Sequence, residues 1–506
     1  MMGKKHIDFQ TSKLFSKKFN EFILNETKLN CYPTYDNINN FPSSKSFTSK
    51  NRELLHSEFK RQYVNTKLNS AVRDNIESIL LDNSYTITTG HQLNIFTGPL
   101  YIIYKIISCI KLAENLNKRF PDKKFIPVYW MASEDHDFEE IQSFYSRGKN
   151  YVWETETSGS VGNIDPKSLE KLIDLLPGVN DFFREAYLKS ETLSEAVRKY
   201  MNSIFNEYGL LILDPDSEAL KKSFSKIIMD DILNNSINDI ESKSEQKSSV
   251  HVRKINFFYK ESKLRERIIK REDRYYVNNT EIEFSSVDLK DEIKKNPHKF
   301  SPNVIMRCFY QQVILPNAAY IGGPAEVVYW LGFKKFFKHY NLHFPVVVPR
   351  DFVVLLSEKS QKTMGRYNIE NTDLFLGKAH LEKKALKVLE DRNKNFSDEI
   401  SKIKNSFNKI ADKFYSVDKS MKPHVLANSK KTEKILIQME NRFVKSLKSE
   451  NKKLVSQVGD LYDEIFPEGS IQERKENIMS YYNSKFISNL FRELDPLELK
   501  FKIIKL

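Results

Sequence analysis

Three cysteines in 506 residues, Cys31, Cys109 and Cys308, are too few and too far apart for a disulfide framework, a zinc ribbon or a C-x-x-C redox pair. Their scarcity fits a reducing compartment, and we expect a cytoplasmic protein. Long apolar runs are lacking too. No uninterrupted stretch approaches the ~18 residues that a membrane-spanning helix needs, and the mean hydropathy is −0.53, so no membrane partner is expected. The opening MMGKKHIDFQTSK has two lysines with no apolar stretch after them, so no secretory leader is expected either. Acidic residues are in modest deficit: 67 Asp and Glu against 80 Lys and Arg give a net charge of +13. The excess is spread along the chain and its Lys runs are interrupted by Glu and Asp. This suits small polyanions such as nucleotides better than a nucleic acid, which is not expected as a partner. Aromatic residues, in contrast, are plentiful. With 12% of them and 40% apolar types the chain is not disordered as a whole, and its length allows roughly two to four domains.

The stretches 85–89 (YTITT), 125–131 (FIPVYWM), 209–213 (GLLIL) and 344–356 (FPVVVPRDFVVLL) are short, apolar and β-rich, with helical patterns between them. Near-continuous apolar strands alternating with helices predict a parallel sheet covered on both faces. The first unit is the clearest: a strand through Thr89, a loop TGHQLNIFTGP, a helix from Pro99 to about Lys118, then FIPVYWM. Such units present ligands to the carboxyl ends of their strands, where helix N-termini offer free N–H groups. Residues 217–300 read as an insertion into this sheet, with a hairpin turn at Asn278–Asn279. Farther on, Phe396, Ile400, Ile403, Phe407, Ile410, Phe414, Val417 and Met421 follow one another by alternating steps of four and three. This is the seam of a coiled coil. A second series, Leu436, Met439, Phe443, Leu447, Leu454, Val458, Leu461 and Ile465, follows Pro423, which predicts two long helices forming an antiparallel hairpin.

Chemistry is expected at strand ends. Thr89-Gly90-His91-Gln92, with Thr97-Gly98 and Lys105 beyond, combines glycines that let a ligand approach the backbone with an imidazole for hydrogen bonding or proton transfer. The plainer reading is a tight turn with a satisfied histidine. Ser133-Glu134-Asp135-His136-Asp137 follows the next strand and suits an acid/base pair, a metal or an ammonium contact. Its plainer reading is a helix start, with acidic residues complementing the dipole and Ser133 or Asp135 as cap. Gly322-Gly323-Pro324-Ala325-Glu326 can bring the backbone to a ligand while Glu326 meets a hydroxyl or an amine. Ser470-x-x-Glu473 reads as a capping box, which leaves Gln472 and Arg474 unexplained. Arg307 and Arg350 are candidates for binding carboxylate or phosphate, or for structural ion pairs.

Taken in order, TGHQLNIFTGPLYIIYK, PVYWMASEDHDFEE, SPNVIMR, YIGGPAEVVYW and FPEGSIQER resemble the bacillithiol biosynthesis cysteine-adding enzymes, from about residue 50 onward. Members often read T-G-Q-Q where this chain has Thr89-Gly90-His91-Gln92. The resemblance implies an α/β fold: a Rossmann-like parallel-sheet core with inserted connecting segments and a long α-helical antiparallel coiled coil that makes a homodimer. The corresponding division is core over 1–216 and 301–376, insertion over 217–300, coiled coil over 377–465 and a C-terminal segment over 466–506 packing on the core. The implied reaction joins L-cysteine to glucosaminyl-malate through an amide bond, with ATP, with or without Mg2+, as activator and no zinc. The loops at Gly90-His91, Thr97-Gly98 and Gly322-Gly323 would hold phosphate or acyl oxygens. Asp135, His136 and Asp137 would bind an ammonium or take a proton, and Arg307 or Arg350 would hold the malate carboxylates. Two other readings are a nucleotide-dependent sugar transferase and a basic coiled-coil nucleic-acid binder; the placing of the motifs at strand ends favours an enzyme.

Overall fold

A computed structural model describes residues 4–24, 38, 41–42, 47–176, 178–389 and 396–506; Cys31 lies outside the described residues. The chain divides into two compact units. The larger comprises Asp8–Val353 with Glu473–Lys502, the smaller Met1–Ile7, Val354–Gln472 and Ile503–Leu506.

The larger unit is built on a parallel sheet of β1 (Ser84–His91), β2 (Lys124–Met131), β3 (Leu211–Leu213), β4 (Asn317–Gly322) and β5 (Val346–Pro349), in the spatial order β5-β4-β1-β2-β3. Ser84 stands opposite Lys124, and the register runs unbroken to His91 opposite Met131. On the other side of β1, Thr88 stands opposite Tyr320. The strands are buried on both faces, which is why their sequences read as apolar runs and not as alternations. Helix α1 (Leu100–Arg119) returns the chain from β1 to β2 and buries Cys109, Leu112, Ala113 and Leu116 against Ile87, Phe125 and Ile321. Full burial of a leucine such as Leu112 or Leu116 contributes roughly 1.5–3 kcal/mol. From β1 the chain moves outward through β2 to β3, then returns to the other side for β4 and β5. The order therefore reverses between β1 and β4, and in open α/β sheets the crevice at such a reversal is where ligands bind.

Between β3 and β4 lie α2 (Glu218–Met229) and a five-stranded antiparallel sheet ordered Glu283–Ser285, Arg274–Val277, Leu264–Arg271, Phe257–Glu261 and Phe300–Pro302. The expected hairpin turn is present: the Val277 N–H donates to the Ile282 carbonyl, and Asn279 has φ +59°. Helix α3 (Val304–Ile314) precedes β4 and α4 (Pro324–Gly332) follows it. The run 344–356 is not one strand. It breaks at Arg350–Asp351, two buried charged residues, and Phe352–Leu356 enters a separate three-stranded sheet.

In the smaller unit α5 (Phe396–Tyr415) packs on α6 (Met421–Glu450). The ion pairs Lys404–Glu433 and Asp412–Lys422 match residues in opposite sequence order, so the two helices run antiparallel, as expected. Pro423 sits in the first turn of α6, where proline is tolerated, and does not interrupt it; the break falls at residues 416–420. A second break at Asn451 separates α6 from α7 (Lys452–Ile465), which buries Leu454, Val458, Leu461 and Ile465. Among the described residues, no helix is long and apolar enough to cross a membrane.

Candidate active site

The carboxyl ends of β1 and β4 open onto two adjoining cavities. The first, about 270 Å³, is walled by Trp130, Glu134, Asp135, Arg265, Arg307 and Tyr320. The second, about 500 Å³, is walled by Tyr101, Lys105, Glu140, Gly323, Arg350 and Arg474. His91, Gln92 and Glu326 border both.

The border is rigidly wired. Lys105, on the second turn of α1 and 2% exposed, donates to the Gly90 carbonyl at 2.6 Å and to both oxygens of Glu326 at 2.8 Å. Glu326 in turn accepts the Gly323 N–H at 2.8 Å, capping α4. Burial pushes the Glu326 carboxyl up, but the Lys105 charge, the Lys105 hydrogen bond and the Gly323 N–H outweigh it and hold the carboxyl below its usual range. His91 shares a 2.6 Å hydrogen bond with the Tyr101 hydroxyl. Burial and the Lys105 charge bring its imidazole down to about 4, so near neutral pH the ring is uncharged and has no proton to spare as a general acid.

Arg307 enters the first cavity from α3. Its guanidinium donates to Gln311 and to the Tyr320 hydroxyl, each at 3.3 Å, and lies 5.9 Å from the Trp130 ring and 5.5 Å from that of Tyr320. No carboxylate of the described residues stands within ion-pair distance of it. A half-buried guanidinium with no carboxylate at ion-pair distance is a site for a planar anion. Gly90 makes room for it, since a Cβ there would stand 3.2 Å from Arg307 Nη1 and 3.3 Å from the Trp130 carbonyl. We expect Gly90→Ala to displace the guanidinium and raise the KM for an anionic substrate about tenfold, the equivalent of roughly 1–3 kcal/mol of overpacking. Steady-state kinetics beside a thermal melt checks this: a lowered Tm at unchanged KM contradicts it.

On the opposite wall, residues 132–142 form turns and not a helix, so the dipole reading of the acidic run is overturned. Asp135 accepts from Gln92 Nε2 at 2.9 Å, from the His136 N–H at 2.8 Å and from Arg265 at 3.4 Å. Burial raises its carboxyl, but the Arg265 charge and these bonds prevail and keep it ionised below the usual range. Arg265 itself is fixed by Ser301 and the Pro302 carbonyl, and stacks 4.1 Å from the Phe258 ring. Asp135 and Arg307 thus give one small cavity both an anion and a cation, the latter acted on by the Glu326 charge but with no carboxylate of the described residues at ion-pair distance.

The family model described as Bacillithiol biosynthesis BshC, N-terminal Rossmann-like domain, matches residues 2–351, and its C-terminal coiled-coil counterpart matches residues 353–506. The chain belongs to the bacillithiol biosynthesis BshC family. A Flavobacterium johnsoniae protein named "Putative cysteine ligase BshC" is 38% identical over 98% of this chain and 99% of its own length. Proteins of the same name from Flavobacterium psychrophilum and Cytophaga hutchinsonii are 37% and 34% identical, covering 99% and 97% of this chain and 99% and 96% of theirs.

In this BshC-family chain, Gly90, His91, Gln92, Lys105, Asp135, Arg307, Gly323, Glu326, Arg350 and Arg474 converge on the two cavities, and the other sequence candidates do not. His136 is exposed, with Nδ1 2.7 Å from Arg265, and Asp137 is exposed; neither lines a cavity. The Thr89 hydroxyl is buried and donates to the Ile321 carbonyl, tying β1 to β4. Thr97 and Gly98 form a structural turn at positive φ, the Gly98 N–H bound to Ile95 and the Phe96 and Gly98 carbonyls held by Asn477. The Gly98 and Gly323 N–H groups are therefore spent within the protein and do not offer themselves to a phosphate. Gly322 ends β4 with its carbonyl bonded to the Arg350 N–H. Arg350 is buried in a bidentate pair with Glu473, at 2.6 and 2.9 Å, which leaves it no free fork for a malate carboxylate. The same pair overturns the capping box, because Glu473 serves Arg350 and the Val353 N–H and not Ser470. Gln472 lies in the smaller unit with its amide spent on Leu355 and the Glu464 carbonyl. Arg474 is exposed at the rim of the second cavity. Among the described residues, no group of three or more His, Cys, Asp or Glu is placed to hold a metal ion. Arg265 and Glu134 were missed as site residues. Arg265 comes from a strand 130 positions away and carries no local signal, whereas Glu134 lies inside the acidic motif itself.

Proposed function

We propose that this chain is a cysteine ligase of bacillithiol biosynthesis, joining the carboxylate of L-cysteine to the amine of glucosaminyl-malate. The observation that carries the reading is the placing, in one cavity at the strand reversal, of ionised Asp135 with Arg307, which has no carboxylate of the described residues at ion-pair distance. Asp135 takes the cysteine ammonium. Arg307 takes a malate carboxylate through its planar fork. An amide formed from a free carboxylate needs an activated acyl group, and ATP, with or without Mg2+, supplies the activation when bound. The second cavity suits its phosphates through side chains: Arg474 at the rim and the buried Nε of Arg350, which has no hydrogen-bond partner among the described residues. Lys105 and Glu326 hold the border between the two compartments so that both reactants meet beside His91. The scarcity of cysteine supports a cytoplasmic setting for the reaction. Calorimetric titration with glucosaminyl-malate tests the carboxylate assignment: saturable binding is expected, and unsubstituted glucosamine binding equally well contradicts it.

We also infer a homodimer through the coiled coil. Support comes from seam residues that the hairpin leaves outside, with Phe414 and Met439 exposed and Val417 88% exposed. Phe414→Asp with Val417→Asp is expected to halve the mass measured by light scattering while leaving helical content unchanged. A single mass shared by wild type and variant contradicts the assignment.

A further inference from the structure

Any ligase of the kind proposed above must take a proton from the amine that becomes the amide nitrogen, and this inference rests on that reading. Three carboxylates line the first cavity. Glu326 is held through both oxygens by Lys105 and Gly323, and Asp135 by Gln92, Arg265 and the His136 N–H. Both are stabilised as anions and are poor proton acceptors. Glu134 differs. Buried in the cavity wall, it meets the Lys221 ammonium of α2 through Oε1 and not through Oε2.

Lys221 is fully buried behind it, donating also to the Phe300 carbonyl at 2.9 Å and lying 5.1 Å from the Tyr310 ring. The other charged groups acting on Glu134 are Lys260 and Asp216, themselves an ion pair, and the Arg265 guanidinium in the same cavity wall. Burial is the largest influence on each partner, raising the Glu134 carboxyl and lowering the Lys221 ammonium. The two proton affinities are thereby drawn together, which is the condition under which a carboxylate takes up a proton and passes it on.

We propose that Glu134 is the general base of amide formation, its Oε2 accepting the proton of the glucosamine nitrogen. The nitrogen lone pair forms the new C–N bond to the activated cysteinyl carbon. The bond from that carbon to the leaving oxygen breaks with its electron pair on the oxygen, and the amine proton ends on Glu134, from which it returns to solvent.

The test supplies L-cysteine and Mg-ATP with one of two acceptors, glucosaminyl-malate or hydroxylamine, a strong nucleophile that is largely unprotonated at neutral pH and captures an activated acyl group without a base. Glu134→Gln is expected to slow amide formation about 10²–10⁴-fold. Hydroxamate formation and the KM for L-cysteine are expected to stay within about threefold of wild type. Because Glu134→Gln leaves Lys221 unpaired, the double variant Glu134→Gln/Lys221→Met, which buries no lone charge, is measured beside it with the same expectation. Equal loss of both products places Glu134 in folding or activation and overturns the proposal, as does an unimpaired rate of amide formation. A wild-type protein that makes neither product overturns the ligase reading, and the base with it. A wild-type protein that makes both while the variants are unimpaired overturns the base alone.

Discussion

Replacing Arg307 by Met is expected to lower kcat/KM for glucosaminyl-malate by about 30- to several-thousand-fold, the equivalent of the roughly 2–5 kcal/mol lost when one partner of a desolvated charge pair is removed. Folding stability is expected to hold or to rise. Among the described residues no carboxylate stands at ion-pair distance from the guanidinium, so the substitution breaks no ion pair there, while the methionine keeps apolar contact with Trp130 and Tyr320. A variant that loses activity and stability together would show that Arg307 serves the fold. One that retains full kcat/KM would remove the malate carboxylate from this cavity.

Lys105→Met carries the largest expected effect on stability. It strips the counter-charge from Glu326 and leaves the Gly90 carbonyl without its donor. Breaking a buried pair from one side typically costs about 3–5 kcal/mol, because an uncompensated charge remains behind. Adding Glu326→Gln is expected to restore most of that loss. The pH dependence separates this from a packing defect. The Glu326 carboxyl is held low in the folded protein, so the stability it lends is present above the usual carboxylate range of about 4–5 and is lost as pH falls through that range toward its folded value. The gap between wild type and Lys105→Met should therefore narrow on acidification in denaturant unfolding. A gap independent of pH would assign the loss to the missing side-chain volume instead.

The sheet was legible because its strands are covered on both faces. FIPVYWM and GLLIL need no alternation, and helical patterns separate such runs along the chain. The same pattern pointed to the strand ends after Thr89 and after Met131 as the places for chemistry, whereas the reversal of strand order between β1 and β4 shows only in the sheet. The coiled-coil seam was legible by counting, although the position of Pro423 suggested a break that the first turn of α6 absorbs without one. What stayed hidden depends on partners distant in sequence. Arg307 and Arg350 look alike as isolated arginines; one faces the first cavity and the other is consumed by Glu473, 123 positions later. Asp135, His136 and Asp137 are neighbours in sequence, yet a turn and not a helix carries them, so one faces the cavity and two face away. Glu134 acquires its character from Lys221, and Asp135 from Arg265, both contributed by the insertion.

The most direct measurement of the central claim is mass spectrometry of the purified protein incubated with L-cysteine and glucosaminyl-malate, with and without Mg-ATP. The account predicts a product with the mass of the cysteine amide of glucosaminyl-malate, appearing when Mg-ATP is present and absent when it is withheld. A folded protein that forms no such product, or forms it at the same rate without nucleotide, would contradict the ligase assignment in the first case and the activation scheme in the second.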